Sequence, residues 1–380
     1  MTHEETLTML KSYLDELIDG SDAEHPAWNQ EQIRQGKPNR WNYVDGLMIT
    51  AILALYAHTG QKRYLDFADQ FVGAFVQADG SIRTYDPLEY NLDQVNPGRN
   101  LFPLYRGTGK EKYRRAMDTL YGQLRSMPRT QSGCFWHKQI YPRQVWLDGL
   151  YMAMPFYMAY DRRCLGTVCY QDIFQQFMAA REIMRDPETG LYYHGYDEAK
   201  RMEWANPDTG LSSSFWLRSL GWLTMALCDT LEAMDEQLYY EYRMLQKMLR
   251  ELAEALLPWQ EEEGMFWQVP DHPGEPGNYL ETSGTAMISY GFLKAARLKL
   301  LPEKFRAVGE RAFWGVSDKY LRLEDDGRIS LGGICLVAGL GGPEHRNGSR
   351  AYYYSEPVVK NEAKGVAPLM LAMTEMIRFA

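Results

Sequence analysis

The sequence predicts an all-α protein folded as an (α/α)6 barrel, a closed ring of six helical hairpins. Three observations predict it: a pair of helical stretches recurs along the chain, an unpartnered helix stands at each end, and short connections alternate with long ones. In each pair the first stretch is apolar on nearly all sides and the second carries a charged stripe, the patterns of an inner and an outer helix. The opening helix, 4–18, has no partner before it. Residues 43–58 turn at Thr59-Gly60-Gln61 into 62–75. Residues 97–105 turn at Gly107-Thr108-Gly109 into 110–124. The next pairs are 146–160 with 170–184, 215–234 with 238–257, and 282–300 with 302–320. The last helix, 365–379, has no partner after it. Pairing the two ends gives twelve helices and closes the ring, which an open superhelix of the same hairpins does not require.

A chain of 380 residues, 45% of them hydrophobic, exceeds the roughly 250–300 residues at which one ordinary core stops growing. No Ser/Gly-rich or Pro-rich linker divides it, so residues 1–380 read as one domain that grows by repetition. The formal charge is −9 and the 41 basic residues are scattered, which argues against nucleic-acid binding. The start, Met-Thr-His-Glu-Glu, is the reverse of a secretory signal, and the longest apolar stretch, 46–57, is too short to cross a membrane. Five cysteines at no metal spacing, an odd number, fit a reducing, cytoplasmic setting. Ten Trp and 26 Tyr serve a large core, yet many stand beside His, Asp and Arg outside the helical period. Flat apolar faces next to hydrogen-bonding groups suit sugar rings.

The long connections each lead from an outer helix to the next inner one, so in a ring they emerge together at one mouth. Several carry a glycine followed by apolar residues: Gly80-Ser81-Ile82, Gly133-Cys134-Phe135-Trp136-His137, Gly190-Leu191-Tyr192-Tyr193-His194, Gly264-Met265-Phe266-Trp267 and Gly327-Arg328-Ile329. The function is expected there, and the short turns at the opposite end are expected to be inert. Each inner helix begins beside a polar residue: Asp45, Asp93, Asp148, Ser214, Thr282 and Asn361. Such residues are ordinary N-caps, the role expected of Ser214, Thr282 and Asn361. Asn96-Pro97 supplies its own cap and proline start, which leaves Asp93 free.

Asp148 lies in Gln144-Val145-Trp146-Leu147-Asp148-Gly149-Leu150-Tyr151-Met152, a carboxyl among large apolar side chains, where desolvation favours the protonated acid. A catalytic acid and a buried cap both fit it. Asp45 stands in an echoing phrase, Trp41-Asn42-Tyr43-Val44-Asp45-Gly46-Leu47, so composition leaves Asp45, Asp93 and Asp148 as alternatives. His137 and His194 occupy equivalent loop positions after aromatic residues. They lack a third ligand at metal spacing, so no metal is expected. Arg218, between Trp216 and Trp222 on an inner helix, needs an anionic partner: a structural carboxylate or the carboxylate of a uronic acid. The Gly-rich 338–343 is followed by no Lys-Ser/Thr, and no Gly-x-Ser-x-Gly elbow occurs, which excludes a phosphate loop and a serine hydrolase of that type.

Trp146-Leu147-Asp148-Gly149-Leu150-Tyr151-Met152, Phe135-Trp136-His137-Lys138, Tyr192-Tyr193-His194-Gly195-Tyr196-Asp197 and Phe215-Trp216-Leu217-Arg218-Ser219-Leu220-Gly221-Trp222 resemble, in order, the unsaturated rhamnogalacturonyl hydrolases of glycoside hydrolase family 105. So do Leu280-Glu281-Thr282-Ser283-Gly284-Thr285-Ala286 and Lys364-Gly365-Val366, and the resemblance runs from about Trp41 to the C-terminus. It implies an (α/α)6 barrel and a disaccharide substrate carrying a Δ4,5-unsaturated galacturonic acid left by pectin (rhamnogalacturonan) lyases. It implies hydration of the C4=C5 bond without cofactor, Asp148 as the catalytic acid and base, and Asp93 as its supporting partner. It also implies substrate contacts from Asn42, Tyr43, His137, Lys138, His194, Trp216, Arg218 and Trp222. The alternatives are an unsaturated glucuronyl hydrolase acting on another polysaccharide, a conventional inverting glycosidase using Asp148 and Asp93, and a sugar-binding barrel without chemistry.

Overall fold

The computed structural model describes residues 2–235 and 237–379. Helix α1 (His3–Asp19) is followed by a short α2 (Gln30–Gln35), and the hairpins then run in order. They are α3 (Tyr43–Thr59) with α4 (Lys62–Phe75), α5 (Leu101–Thr108) with α6 (Glu111–Ser126), and α7 (Asp148–Tyr160) with α8 (Tyr170–Met184). They continue as α9 (Leu217–Ala233) with α10 (Tyr239–Leu256) and α11 (Thr282–Arg297) with α12 (Lys304–Tyr320). A short α13 (Arg350–Ser355) precedes the final α14 (Ala363–Phe379). The second inner element is shorter than expected, because the chain winds as a 3-10 helix over Asn96–Asn100 before α5 begins.

The inner helices touch in cyclic order: α3, the 3-10 segment before α5, α7, α9, α11, α14 and back to α3. Helix α1 packs on α14, so the two chain ends make the sixth hairpin and the ring closes. Burial follows the composition. Every residue of α11 except Arg297 is buried, whereas α10 buries only Leu245, Met248, Leu249, Leu252, Ala253 and Leu256, one stripe at spacings of three and four.

The glycine-apolar repeats are tight turns that follow the outer helices. Backbone bridges pair Val76 with Ile82, Arg129 with Phe135 and Arg185 with Tyr192. After α12 the same position is a hairpin of β3 (Leu321–Leu323) and β4 (Ile329–Leu331). Gly80 and Gly264 show why glycine is needed. Their φ angles are 89° and 97°, and a Cβ on Gly264 would stand 2.1 Å from the Arg311 carbonyl oxygen of α12. Each such turn therefore lies down on the following outer helix and directs the rest of its connection over the mouth.

The caps differ from expectation. Ser214, Thr282 and Asn361 do not supply side-chain caps to α9, α11 and α14. The Thr282 hydroxyl donates to the Gly332 carbonyl, and Asn361 Oδ1 accepts from Tyr13 Oη and Leu331 N. Buried Glu281 caps α11 instead, accepting from the amides of Ser283 and Gly284. Asn96 is no cap either, since its side-chain amide points to the Tyr151 carbonyl at 3.4 Å. The cap of α3 is Asn42.

Candidate active site

Short backbone pairings place the polar side chains of the mouth. Strand β1 (Gln144–Trp146) pairs antiparallel with β2 (Gly195–Asp197), so Trp146 lies opposite Gly195. The ladder extends by Leu147 N to the His194 carbonyl at 2.9 Å, which ties the start of α7 to His194. On its other side, His137 N donates to the Gln144 carbonyl at 2.9 Å, and Leu92 N to the His137 carbonyl at 3.2 Å. Four functional candidates far apart in the chain, Asp93, His137, Asp148 and His194, thus hang from one set of adjacent hydrogen bonds. Residues 146 and 147, expected to be helical, belong to this strand and turn. As a result Asp148 is the first residue of α7, and its side chain makes no cap bond.

The two carboxylates have contrasting neighbours. Asp93 Oδ2 lies 2.5 Å from Lys138 Nζ, and its Oδ1 lies 3.6 Å from His137 Nε2. Burial favours the protonated form of Asp93, but Lys138 and then His137 outweigh it, and the carboxyl sits below its ordinary value. Burial pushes His137 down to about 4, so at neutral pH its contact with Asp93 is polar and not an ion pair. Asp148 Oδ2 lies 3.2 Å from His194 Nε2, and neither atom has a hydrogen-bond partner among the described residues. The side chain of Asp148 keeps 12% of its surface exposed toward the mouth.

Aromatic rings wall this arrangement. His137 and Tyr141 both stack on Trp146, with centroids 4.6 and 4.8 Å away. His194 lies 4.7 Å from Trp216, Trp216 stacks on Tyr353, and Trp222 stacks on Tyr151 at 4.8 Å with its edge toward Tyr43. Of the expected contact residues, Asn42, Tyr43 and Lys138 retain exposure, whereas His137, His194, Trp216 and Trp222 are buried and form the wall. Asn42 is also tied down locally, since its side chain accepts from Asp45 N and donates to Asp45 Oδ2 at 3.1 Å.

Arg218, expected to contact the substrate, is held by partners from the protein. It is 1% exposed, and its Nε donates to Ser283 Oγ at 2.7 Å. Its terminal nitrogens reach the Cys335 and Leu336 carbonyls, and Glu281 stands 3.8 Å away. Of the two anionic partners open to it, it has taken the structural carboxylate. Asp45 is likewise filled by protein donors: it accepts from Trp28 Nε1, Asn29 Nδ2, Asn39 Nδ2 and Asn42 Nδ2. Burial pushes its carboxyl up to about 6, and these four donors face its ionised form at neutral pH.

Sequence reading missed Tyr353, whose hydroxyl stands 2.7 Å from His194 Nδ1, and Trp146 as the plate between the histidines. It also missed fully buried Lys364, paired with Glu31 and Glu362 beside the Tyr43 ring. Trp146 and Lys364 lay inside recognised motifs. Tyr353 lies in a Tyr-Tyr-Tyr run on the short α13 with no signal of its own. The end expected to be inert holds a cavity of about 230 Å³ lined by Arg99, Glu232, Lys294, Glu375 and Arg378 among others.

A family model described as Glycosyl Hydrolase Family 88 matches residues 18–380. The structure of a family 105 glycoside hydrolase from C. acetobutylicum ATCC 824 is similar at 43% identity and TM-score 0.87, over 89% of this chain and 94% of that one. Protein Atu3128 of Agrobacterium fabrum is 40% identical over 236 residues, 60% of this chain and all of that protein. The unsaturated rhamnogalacturonyl hydrolase YesR of Bacillus subtilis is 25% identical over 296 residues, 76% of this chain and 78% of YesR. With the family 105 kinship expected from its motifs and a family match reaching its last residue, the chain belongs to Glycosyl Hydrolase Family 88.

Proposed function

We propose that this glycoside hydrolase releases Δ4,5-unsaturated galacturonic acid from the non-reducing end of pectin lyase products, by hydrating the C4=C5 bond. The observation that carries the reading is the contrast between the two mouth carboxylates. Asp93 is clamped by Lys138 and held below its ordinary value, so it is ionised at neutral pH and is a poor proton donor. Asp148, at the start of α7 and paired among the described residues with the His194 imidazole alone, takes the donor role. Separate surroundings for two carboxyls are how one site divides acid from auxiliary work.

In the proposed reaction the Asp148 carboxyl gives its proton to C4, and water adds to C5 while giving a proton back to Asp148. The C5 hemiketal opens by breaking its bond to the ring oxygen. C1 is left as a hemiacetal, which collapses to an aldehyde and expels the neighbouring sugar. Water is the only co-reactant, and the carboxyl ends as it began. Asp93 orients the water; Asn42, Tyr43 and Lys138 contact the sugar, and His137, His194, Trp216 and Trp222 shape its pocket. Arg218 acts on that pocket from behind Trp216, 5.3 Å from its ring. A rhamnose aglycone is favoured by the likeness to YesR. We place the protein in the cytoplasm: its five cysteines are free, and no described helix is long and apolar enough to cross a membrane.

The test is turnover of unsaturated galacturonyl-rhamnose, followed by loss of the ultraviolet absorbance of its conjugated double bond. Run in D₂O, the product should carry deuterium at C4. Turnover of the saturated disaccharide instead identifies a conventional inverting glycosidase. Preference for an unsaturated glucuronyl substrate moves the specificity, and no decay with any unsaturated disaccharide leaves a sugar-binding barrel.

A further inference from the structure

His194 meets a polar group at each ring nitrogen: Asp148 Oδ2 at 3.2 Å from Nε2 and the Tyr353 hydroxyl at 2.7 Å from Nδ1. We propose that Tyr353 is a positioning residue: its hydroxyl donates to His194 Nδ1 and so holds the proton of the neutral imidazole on Nε2, facing Asp148. The inference rests on the reading of Asp148 as the proton donor and base.

A neutral imidazole has one donor and one acceptor nitrogen, and the partner of one decides the state of the other. A protonated Asp148 still offers its carbonyl oxygen to an Nε2–H, and once the proton has gone to C4 the carboxylate offers only acceptors, so the nitrogen facing it must then carry hydrogen. Nδ1 of this fully buried ring is then left with a lone pair that needs a donor from the protein. Tyr353 is fully buried, and burial holds its hydroxyl well above the ordinary value, so it keeps its proton and can donate. The phenol is itself fixed. Its ring stacks on Trp216 at 5.8 Å and 15°, and its backbone carbonyl accepts from Gln268 Nε2 at 3.2 Å. Gln268 Oε1 in turn accepts from Trp216 Nε1 at 3.2 Å. Helix α13, whose Tyr353 is 159 residues from His194, therefore orients a ring whose backbone is already bonded to the start of α7. The orientation serves one stage of the reaction above all. Once Asp148 has given its proton to C4, a carboxylate stands in an aromatic pocket, and an Nε2–H 3.2 Å away, unbonded to it before the reaction, can turn onto it and offset that burial until water returns the proton.

The test uses the full-length protein labelled with ¹⁵N-histidine, the His194 signals being assigned by their loss in His194→Gln. The wild type should show Nε2 carrying hydrogen and Nδ1 as a hydrogen-bonded lone pair. In Tyr353→Phe, which keeps the ring stack on Trp216, Nδ1 should shift toward the unbonded value. On the unsaturated disaccharide, kcat should fall about tenfold, the loss of one hydrogen bond, with KM nearly unchanged. A wild-type Nδ1 that carries hydrogen overturns the proposal, as do unchanged His194 signals in the variant or an unchanged kcat. The wild-type spectrum decides even if Tyr353→Phe fails to fold. Failure of the reaction reading shows separately, as a wild-type protein inert toward every unsaturated disaccharide.

Discussion

Replacing Asp148 by Asn separates chemistry from architecture most cleanly. The amide has the size of the carboxyl, and its oxygen can take the place of Oδ2 against His194 Nε2, now 3.2 Å away. Asp148 makes no cap bond to α7, so the fold loses only a charge at a helix N-terminus, about 0.3–1 kcal/mol. For 380 residues the unfolding entropy is about 0.8 kcal/mol per degree, so Tm should move by about 1 °C. The chemistry loses everything the carboxyl supplied, since an amide neither donates a proton to C4 nor accepts one from water. General acid-base assistance amounts to about 10²–10⁴-fold, or 2.7–5.4 kcal/mol of barrier, and both half-steps pass through this one group. Single-turnover decay of the substrate's ultraviolet absorbance and a melting curve, taken on one preparation, give both numbers. KM should stay within a few-fold, because the aromatic wall and Lys138 are untouched. A folded Asp148→Asn protein with near wild-type turnover would refute the assignment and move attention to Asp93.

Three further outcomes follow from the geometry. The folded state holds His137 near 4 against 6.5 when free. The unfolded chain therefore binds more protons between those values, and stability should fall by about 3 kcal/mol as pH drops through that window. Denaturant midpoints at pH 7 and 4.5 should show a smaller drop for His137→Asn. Gly264→Ala forces a side chain onto a φ of 97° and against the Arg311 carbonyl, and should cost about 2–3 kcal/mol or more; an unchanged Tm would refute the argument. Arg218→Met leaves Glu281 and two carbonyls without their buried cation, and should cost about 3–5 kcal/mol. A stable variant with weakened substrate binding would return Arg218 to the substrate.

The barrel was legible because its signal is additive. Six inner stretches without a polar face and six outer ones with a single stripe repeat the same evidence, and each of these twelve helices begins or ends within a few residues of its predicted position, whereas the short α2 and α13 were not foreseen. The mouth was legible as a place for the same reason, since all the long connections have to emerge at one end. Individual roles were harder to see, because a side chain's role depends on backbone angles and on partners far along the chain. Asn361 is suited to capping, yet at φ 59° it bonds Tyr13 and Leu331 instead. A buried cation needs an anion, which left a structural carboxylate and a uronic acid both open for Arg218; the resemblance pointed to the sugar, while Glu281, inside a recognised motif, is the carboxylate 3.8 Å from it. Tyr353 carries no periodic or motif signal, and only the fold brings it to His194.

The interior carboxylates show how structural and chemical roles divide within one ring. Asp229, at the end away from the mouth, receives Lys294 Nζ at 2.6 Å, Tyr290 Oη at 2.8 Å and Arg99 at 2.5 Å. Asp45 receives four nitrogen donors. Asp148 has a single imidazole. A carboxylate whose oxygens are filled by fixed donors has no lone pair for a substrate, whereas a sparsely partnered carboxylate keeps one. Asp45→Asn tests the rule from the structural side. The amide turns one acceptor into a donor that faces Asn39, Asn42, Trp28 or Asn29, all donors themselves, so at least one buried hydrogen bond is lost at a cost of about 1–3 kcal/mol. With the unfolding entropy above, Tm should fall by about 1–4 °C, while kcat on the folded protein stays within a few-fold of wild type. That is the opposite pairing to Asp148→Asn. An Asp45→Asn protein that melts normally but has lost a hundredfold in kcat would show that counting donors does not distinguish the catalytic carboxylate in this barrel.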